Sequence, residues 1–323
     1  MSVTSKSPSR VLRVAYRIAQ RVMPAYSHPC SPKKFTQHQL FACLVLKECL
    51  KLDYRGVEVL LTEWESLRAI VDLHATPDFT TLQKACRRLL RLPMCNRLLD
   101  ETVRQAKRAH VVRSPVKHLA VDSSGFDAHR ISNYFVRRRA RNGKTTGKWH
   151  TTTYRRYPEL GMACDCSSHF LLAAVPDRGP RDDDRHWTRA MRDMRRRVRA
   201  SLVLCDAGYD AEWIHWAARL VFQTRTIIPS TRGRPSENPP VGYYRRKMSR
   251  LFQEPTKRKP YRRRSQAETV FSMVKRRTDS SVNAYGYWSQ CRALMLKALT
   301  HNIMILRQPK VFDRAFLTPF LGP

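Results

Sequence analysis

Long apolar runs are missing from this 323-residue chain. None approaches the ~20 residues that a membrane-spanning helix needs. The basic start MSVTSKSPSRVLRVAYRIAQR lacks the apolar stretch and small-residue cleavage site of a signal peptide. The sequence therefore reads as cytoplasmic. Glycine (11) and proline (19) are too few and too irregular for a collagen-like or low-complexity chain. The nine cysteines are odd in number and scattered, which reads as reduced thiols rather than a disulfide framework. Acidic residues are scarce, with 26 Asp+Glu against 61 Lys+Arg and a net charge of +35. Hydrophobic residues make up 42%, enough to bury a core, so wholesale disorder is excluded. The length suits one large domain or two ordinary ones.

A cored chain this basic needs a polyanionic partner or a reason to tolerate self-repulsion. Nucleic acid is the first candidate, with a ribosomal or cationic surface protein as the plainer alternative.

Residues 1–112 read as all-helical. Val11, Val14, Ile18 and Val22 recur at helical spacing. TQHQLFACLVLKECLKL follows with Thr36 as its N-cap. RGVEVLLTEW, TPDFTTLQKACRRLLRL (with a Thr cap) and MCNRLLDETVRQAKRA continue the pattern. From residue 113 strands appear. VVRSPVKHLAVDSSGF is β-rich, and WHTTTYRRYPELGMACDCSSHFLLAAVPDRG reads as a hairpin turning at DCSSH. Then come a helix (RDDDRHWTRAMRDMRRRV), a strand (SLVLC), a helix (AEWIHWAARL), a strand (RTIIPS) and two closing helices. Residues 230–260, rich in Pro and Arg and without periodicity, are expected to form a long basic insertion or loop. This order predicts a mixed α/β layer architecture from 113 to 310, preceded by the helical region and followed by a tail at 311–323.

Two of the strands end in a carboxylate. Asp122 follows HLAV, and Asp206 follows SLVLC. An apolar strand ending this way puts its carboxylate at a sheet edge that ligands reach. Taken singly, each also fits a capping Asp in a turn. A third element is YRRRSQAETVFSMVK. Tyr261, Arg264, Glu268 and Lys275 are spaced 3, 4 and 7 apart, so on one helix they share a face. Ala267, Val270, Phe271 and Val274 fall on another. An i,i+4 Arg–Glu pair on a solvated face explains part of this pattern. It does not explain one Glu set among so many cations, which keep it ionised and fit to ligate a metal. Two Asp and one Glu suit a pair of Mg²⁺ or Mn²⁺ ions acting on a phosphodiester.

The pattern Tyr-x2-Arg-x3-Glu-x6-Lys, met in full by Tyr261, Arg264, Glu268 and Lys275, resembles the signature of DDE transposases of bacterial insertion sequences. VDSSGF resembles the family's first-Asp strand, LCDAGYDAE its second, and IIPSTRGRP the strand after it. TPDFTTLQKACRRLL resembles an N-terminal helix entry of the group, and the NIMIL helix also fits. The resemblance spans about residues 35–308 and is strongest from 118. It implies a ribonuclease H-like mixed sheet flanked by helices. Asp122, Asp206 and Glu268 match the catalytic, metal-binding carboxylates. Tyr261, Arg264 and Lys275 match the DNA-phosphate contacts. It implies two Mg²⁺ or Mn²⁺ ions, double-stranded DNA (terminal inverted repeats and target) as substrate, a homodimer in the DNA complex and a nucleoid-associated location. The activity implied is hydrolysis at element ends followed by strand transfer. A non-catalytic DNA-binding derivative and a related metal-dependent nuclease are the alternatives. Two features depart from the family pattern: SSGF stands where Asp-Ser-Thr is usual, and the Asp182–Asp184 run lacks the usual His.

Basic patches at 137–144, 192–199 and 245–264 read as DNA-backbone contacts. Residues 230–279 carry 15 Lys+Arg against 4 Asp+Glu. Tyr243, Tyr244 and Phe252 either stack on unpaired bases or pack the insertion. Cys164, Cys166 and His169 have a spacing that invites zinc, but core thiols fit better. Trp213 and Trp216 read as helix packing around His215, and Asp127 and Asp210 as acidic residues of second rank. Leu40–Leu50 with Arg55–Leu61 is compatible with a helix-turn-helix, or with dimerisation or plain helix packing.

Overall fold

The computed structural model describes residues 7–128, 157–179, 184–230 and 240–306. Two compact units emerge: the chain up to Val111 together with Ala128 and the chain from Met273, and the remaining described residues between Val112 and Ser272.

The first unit is helical. It contains α1 (Pro8–Val22), α2 (Gln37–Leu50), α3 (Tyr54–Glu63), α4 (Glu65–Ala69), α5 (Phe79–Leu89) and α6 (Leu92–Arg108). Thr36 caps α2 as expected: its hydroxyl accepts from the Gln39 N–H while the Gln39 side chain accepts from the Thr36 N–H. At α5 the cap is Asp78 rather than a threonine. Its carboxylate accepts from the Thr80 N–H at 2.7 Å and the Thr80 hydroxyl at 2.6 Å, and an ionised acceptor suits a helix N-terminus better. Val11, Leu12, Ala15 and Ile18 give α1 a buried stripe against α2 and α6.

The last helix, Tyr287–Leu306, belongs to this helical unit, although in sequence it follows the strands. It is buried on every side from Leu294 to Leu306, and such a helix needs partners all round. α1, α2, α5 and α6 provide them. Within it Lys297 is almost wholly buried. Its ammonium donates to Glu48 Oε1 at 2.8 Å and to the carbonyls of Asp279 (3.1 Å) and Thr278.

The second unit is built on a five-stranded sheet. Its strands are β1 (Leu119–Gly125), β2 (Tyr157–Asp165), β3 (Leu171–Gly179), β4 (Leu202–Cys205) and β5 (Arg225–Ile227), ordered β3-β2-β1-β4-β5. β1–β2 and β2–β3 are antiparallel, whereas β1–β4 and β4–β5 are parallel. This is the ribonuclease H-like mixed sheet that the family resemblance implies. The β2–β3 hairpin turns at Cys166–Phe170, where Asp165 accepts from the Ser167 and Ser168 N–H groups. α7 (Asp184–Arg197) packs across β1, β2 and β3, burying Trp187, Ala190, Met191 and Met194. His186 lies against the sheet at Gly161, where a Cβ would come within 2.7 Å of the His186 Cβ.

Beyond β4 come a 3₁₀ turn (Ala207–Tyr209) and α8 (Glu212–Leu220). Part of the expected loop at 230–260 is a helix, α9 (Tyr243–Gln253). Tyr244, Met248, Leu251 and Phe252 recur in it at helical spacing, which the reading of this stretch as aperiodic overlooked, but it buries little, with Met248 its one buried residue. Long-range contacts stabilise it instead. Glu212 accepts the N–H groups of Tyr244 and Arg245, both at 3.0 Å, filling α9's open first turn. Arg245 grips the buried Asp210 with Nε at 2.9 Å and Nη2 at 2.7 Å. The Tyr244 ring stacks on His215, takes the Arg219 guanidinium at 4.0 Å and meets Trp216 edge-on.

The basic patch at 137–144, Asp182 and Asp183, and the tail at 311–323 lie outside the described residues.

Candidate active site

β1 and β4 run parallel, with Val121 beside Cys205, so Asp122 and Asp206 occupy the next position along each chain. Asp206 stands just past the end of β4 as expected, whereas Asp122 does not end its strand: β1 runs on to Gly125 because it stays paired with β2. Both strands reach this point through buried apolar residues, Leu119–Val121 and Val203–Cys205. The two aspartates are held in the same way. Oδ1 of Asp122 accepts from the Ser123 N–H at 2.9 Å, and Oδ1 of Asp206 from the Ala207 N–H at 2.6 Å. Each Oδ2 is turned toward one nitrogen, Nη2 of Arg264, at 3.3 Å from Asp122 and 2.9 Å from Asp206. The two oxygens are therefore no further apart than those two contacts together allow. Nη1 of the same guanidinium pairs with Glu268. The three carboxylates converge on one cation.

Glu268 lies on α10 (Ser265–Thr278). Four residues on a single helical face was the expectation for Tyr261, Arg264, Glu268 and Lys275. Instead Tyr261 and Arg264 sit in a preceding 3₁₀ segment, Lys259–Arg264. Pro260 in its first turn suits a helix start, since it has no N–H to bond. The tighter winding lets Arg264 reach inward to β1 and β4 while remaining four residues before Glu268. Lys275 is half-buried two turns beyond Glu268. Tyr261 packs its ring edge-on against Phe252 at 4.9 Å. Burial, reinforced by the charge of Asp206, pushes the Tyr261 hydroxyl up to about 12, so it stays protonated.

Burial opposes the charged form of Arg264, but the carboxylates of Asp122 and Asp206 outweigh it and raise its pKa. The inner half of the site is closed, with side-chain exposures of 16% for Arg264 and 14% for Asp122. The outer half is open, at 50% for Asp206 and 63% for Glu268. A substrate approaching from outside meets Asp206 and Glu268 first.

These donors are all carboxylate oxygens, which suits a hard divalent cation such as Mg²⁺. Their present spacing does not: among the described residues no group of three His, Cys, Asp or Glu side chains could hold a metal ion. The cation they share is the guanidinium.

Other candidates fall elsewhere. Asp210 is committed to Arg245, and Asp127 is exposed beyond the end of β1. His215 is buried and shares a hydrogen bond with Thr226 Oγ1 at 2.6 Å. Burial, then the charge of Arg219, lowers its pKa to about 4, so it is neutral at pH 7. Cys164 and Cys166 are buried free thiols, and burial raises both, Cys166 to about 12. His169 bonds Gln266 Oε1 at 2.6 Å. The zinc reading therefore has no support from these three side chains. All nine cysteines are free. Tyr244 and Phe252 pack within the fold, whereas Tyr243 is exposed. In the 192–199 patch, Arg197 is buried and donates to the Leu172 carbonyl, so that residue is structural.

The contacts of Arg264 with Asp122 and Asp206 are the feature that sequence reasoning missed. Only its i,i+4 spacing to Glu268 hinted at an ion pair.

No helix among the described residues is long and apolar enough to cross a membrane. None of the curated proteins matches the chain. The family model of the transposase DDE domain matches residues 113–303, which takes in both aspartate strands, the 3₁₀ segment and α10. The chain belongs to the DDE transposase family.

Proposed function

We propose that this chain is the transposase of an insertion sequence, cutting the phosphodiester bond at the element's ends and joining the freed 3′-hydroxyl to target DNA. The observation that carries this reading is the convergence of Asp122, Asp206 and Glu268 on one cation. Asp122 and Asp206, each anchored through Oδ1, and Glu268 on the open side are the residues that would hold Mg²⁺ or Mn²⁺. Bound there, such ions would supply Lewis-acid activation of the attacking oxygen and charge stabilisation of the leaving one.

The chain's own groups supply the rest. Lys275 meets a substrate phosphate as a point charge, and Arg264 can grip two oxygens of another. Tyr261, protonated, donates a hydrogen bond to the backbone of the scissile strand. The exposed cations Arg246, Lys247 and Arg250 on α9 and Arg262 and Arg263 before α10 extend the contact along DNA. The strand-bearing region from 113 to 310 performs the chemistry. The helices of residues 1–112 bind element ends or pair with a second copy, giving a homodimer on two paired ends in the nucleoid.

The test is a cleavage and strand-transfer assay in Mg²⁺, on duplexes bearing the inverted repeats that flank the gene. Glu268→Gln keeps the shape and removes one charged ligand. It should bind DNA normally and lose cleavage by about a thousandfold, ~4 kcal/mol in the barrier. Near-normal cleavage by this variant would show Glu268 to be misassigned. Cleavage without joined products would favour a nuclease instead.

A further inference from the structure

Resting on the reading of these carboxylates as a metal site, we propose that Arg264 occupies the metal's place in the free protein, and that a DNA phosphate must draw it off before a divalent ion binds. Metal loading is then gated by DNA.

Three observations carry this. Both Asp Oδ2 atoms are shared by a single nitrogen of Arg264, and Glu268 is paired to the other. The Oδ1 atoms are tied to backbone N–H groups, so the aspartates are directed at that shared point by β1 and β4 themselves. The site opens to solvent on the Glu268 and Asp206 side, where a phosphate can arrive beside the guanidinium without passing through the core.

The chemistry makes the exchange feasible. Three carboxylates drawn together repel one another, and a resident cation lets the chain fold with them assembled. A guanidinium stays charged at any working pH, so only a competing ligand can release it. Phosphate is such a ligand, because its oxygens accept the same forked pair of N–H bonds as a carboxylate does. Once Arg264 turns to phosphate, the acidic oxygens lose their cation and are free for a divalent ion. Off DNA, the protein then holds little metal.

The gate has a definite thermodynamic signature. If Arg264 fills the site nine-tenths of the time, the apparent metal affinity falls about tenfold. The measurement is Mn²⁺ binding to the full-length protein, followed by the loss of the free-ion electron paramagnetic resonance signal. It is run with and without a short mixed-sequence duplex at low salt, where phosphate contacts form regardless of sequence. The same titration on Asp122→Asn fixes the background of Mn²⁺ held by DNA itself. Wild type should bind Mn²⁺ weakly alone and about tenfold more tightly with DNA. Arg264→Gln should bind tightly in both conditions. Arg264→Lys, with a compact ammonium that cannot span three carboxylates, should fall between them. Circular dichroism on each variant establishes that it is folded. Equal Mn²⁺ affinity in wild type and Arg264→Gln without DNA, or weaker binding by the variant, overturns the gate while leaving the metal site standing. Failure of all three proteins to bind Mn²⁺ above the Asp122→Asn background, with or without DNA, overturns the metal site itself.

Discussion

Two cations in this molecule are each surrounded by several oxygen acceptors, and they differ in what lies behind the acceptors. Lys297, in the helical unit, has an exposure of 5% and its partner Glu48 of 8%. Two backbone carbonyls, of Thr278 at the end of α10 and of Asp279 just past it, complete its shell. Arg264, in the sheet unit, also contacts three acceptors, but two of them stand half-open to water. The first arrangement is permanent because loss of either partner strands a buried charge. The second is exchangeable because water, phosphate or metal can take over each contact as it breaks. The same ion-pair chemistry thus makes a fixture in one unit and a replaceable occupant in the other.

Removing each cation should separate the two cases most strongly. Lys297→Met leaves Glu48 buried with Lys47, at 3.3 Å, as its remaining ion-pair partner among the described residues. It should destabilise by about 3–5 kcal/mol in urea denaturation, with Glu48→Gln added to the same chain restoring part of the loss. A loss under about 1 kcal/mol would mean that the site relaxes or admits water, and the contrast would collapse.

Next in size is an acid effect at His215, which is buried like Lys297 but able to shed its proton. Its folded pKa of about 4 lies below the ordinary value of 6.5. Between those values the unfolded chain binds a proton that the native one does not. The stabilisation is therefore complete above pH 6.5 and drains away as the pH falls toward 4, by at most about 3 kcal/mol. Thermal melts of wild type and His215→Gln across that window should converge at acid pH. Parallel curves would show that His215 does not carry the acid sensitivity.

Arg264→Gln should shift stability by under about 1 kcal/mol, because two of the three carboxylates it abandons, Asp206 and Glu268, stand half-open to water. A loss as large as that of Lys297→Met would make Arg264 a fixture too. The smallest effect on the fold belongs to Lys275→Ala, which should leave the sequence preference of DNA binding unchanged. It should lower the salt slope of binding by roughly one. A changed preference with an unchanged slope would mean that this helix reads bases.

The part of this legible in sequence is local. β1 and β4 announce themselves as apolar runs closed by Asp122 and Asp206, because buried parallel strands have little else to vary. The Thr36 N-cap and the DCSSH turn depend on neighbours a few residues away, and both are readable. The contacts that hold α9 were not, because its first turn is closed by Glu212 and its flank by Asp210, from another helix and turn. Nor were the partners of Arg264, which lie 58 and 142 residues away. Periodicity reports which face is apolar. It carries no trace of which distant carboxylate a long flexible cation finds.

Gly242 opens α9 with a φ of +105°, in the region that side chains rarely adopt. A Cβ there would fall 2.5 Å from the Glu212 carboxylate that closes the helix's first turn. A mutational scan of α9 should consequently be lopsided. Its outward Arg and Lys positions can trade residues freely among folded variants, so the exposed charge pattern is open to drift. Gly242 is held twice over: a side chain there would meet the Glu212 carboxylate, and trimming the glutamate would remove the helix's cap while leaving the φ that glycine alone adopts easily.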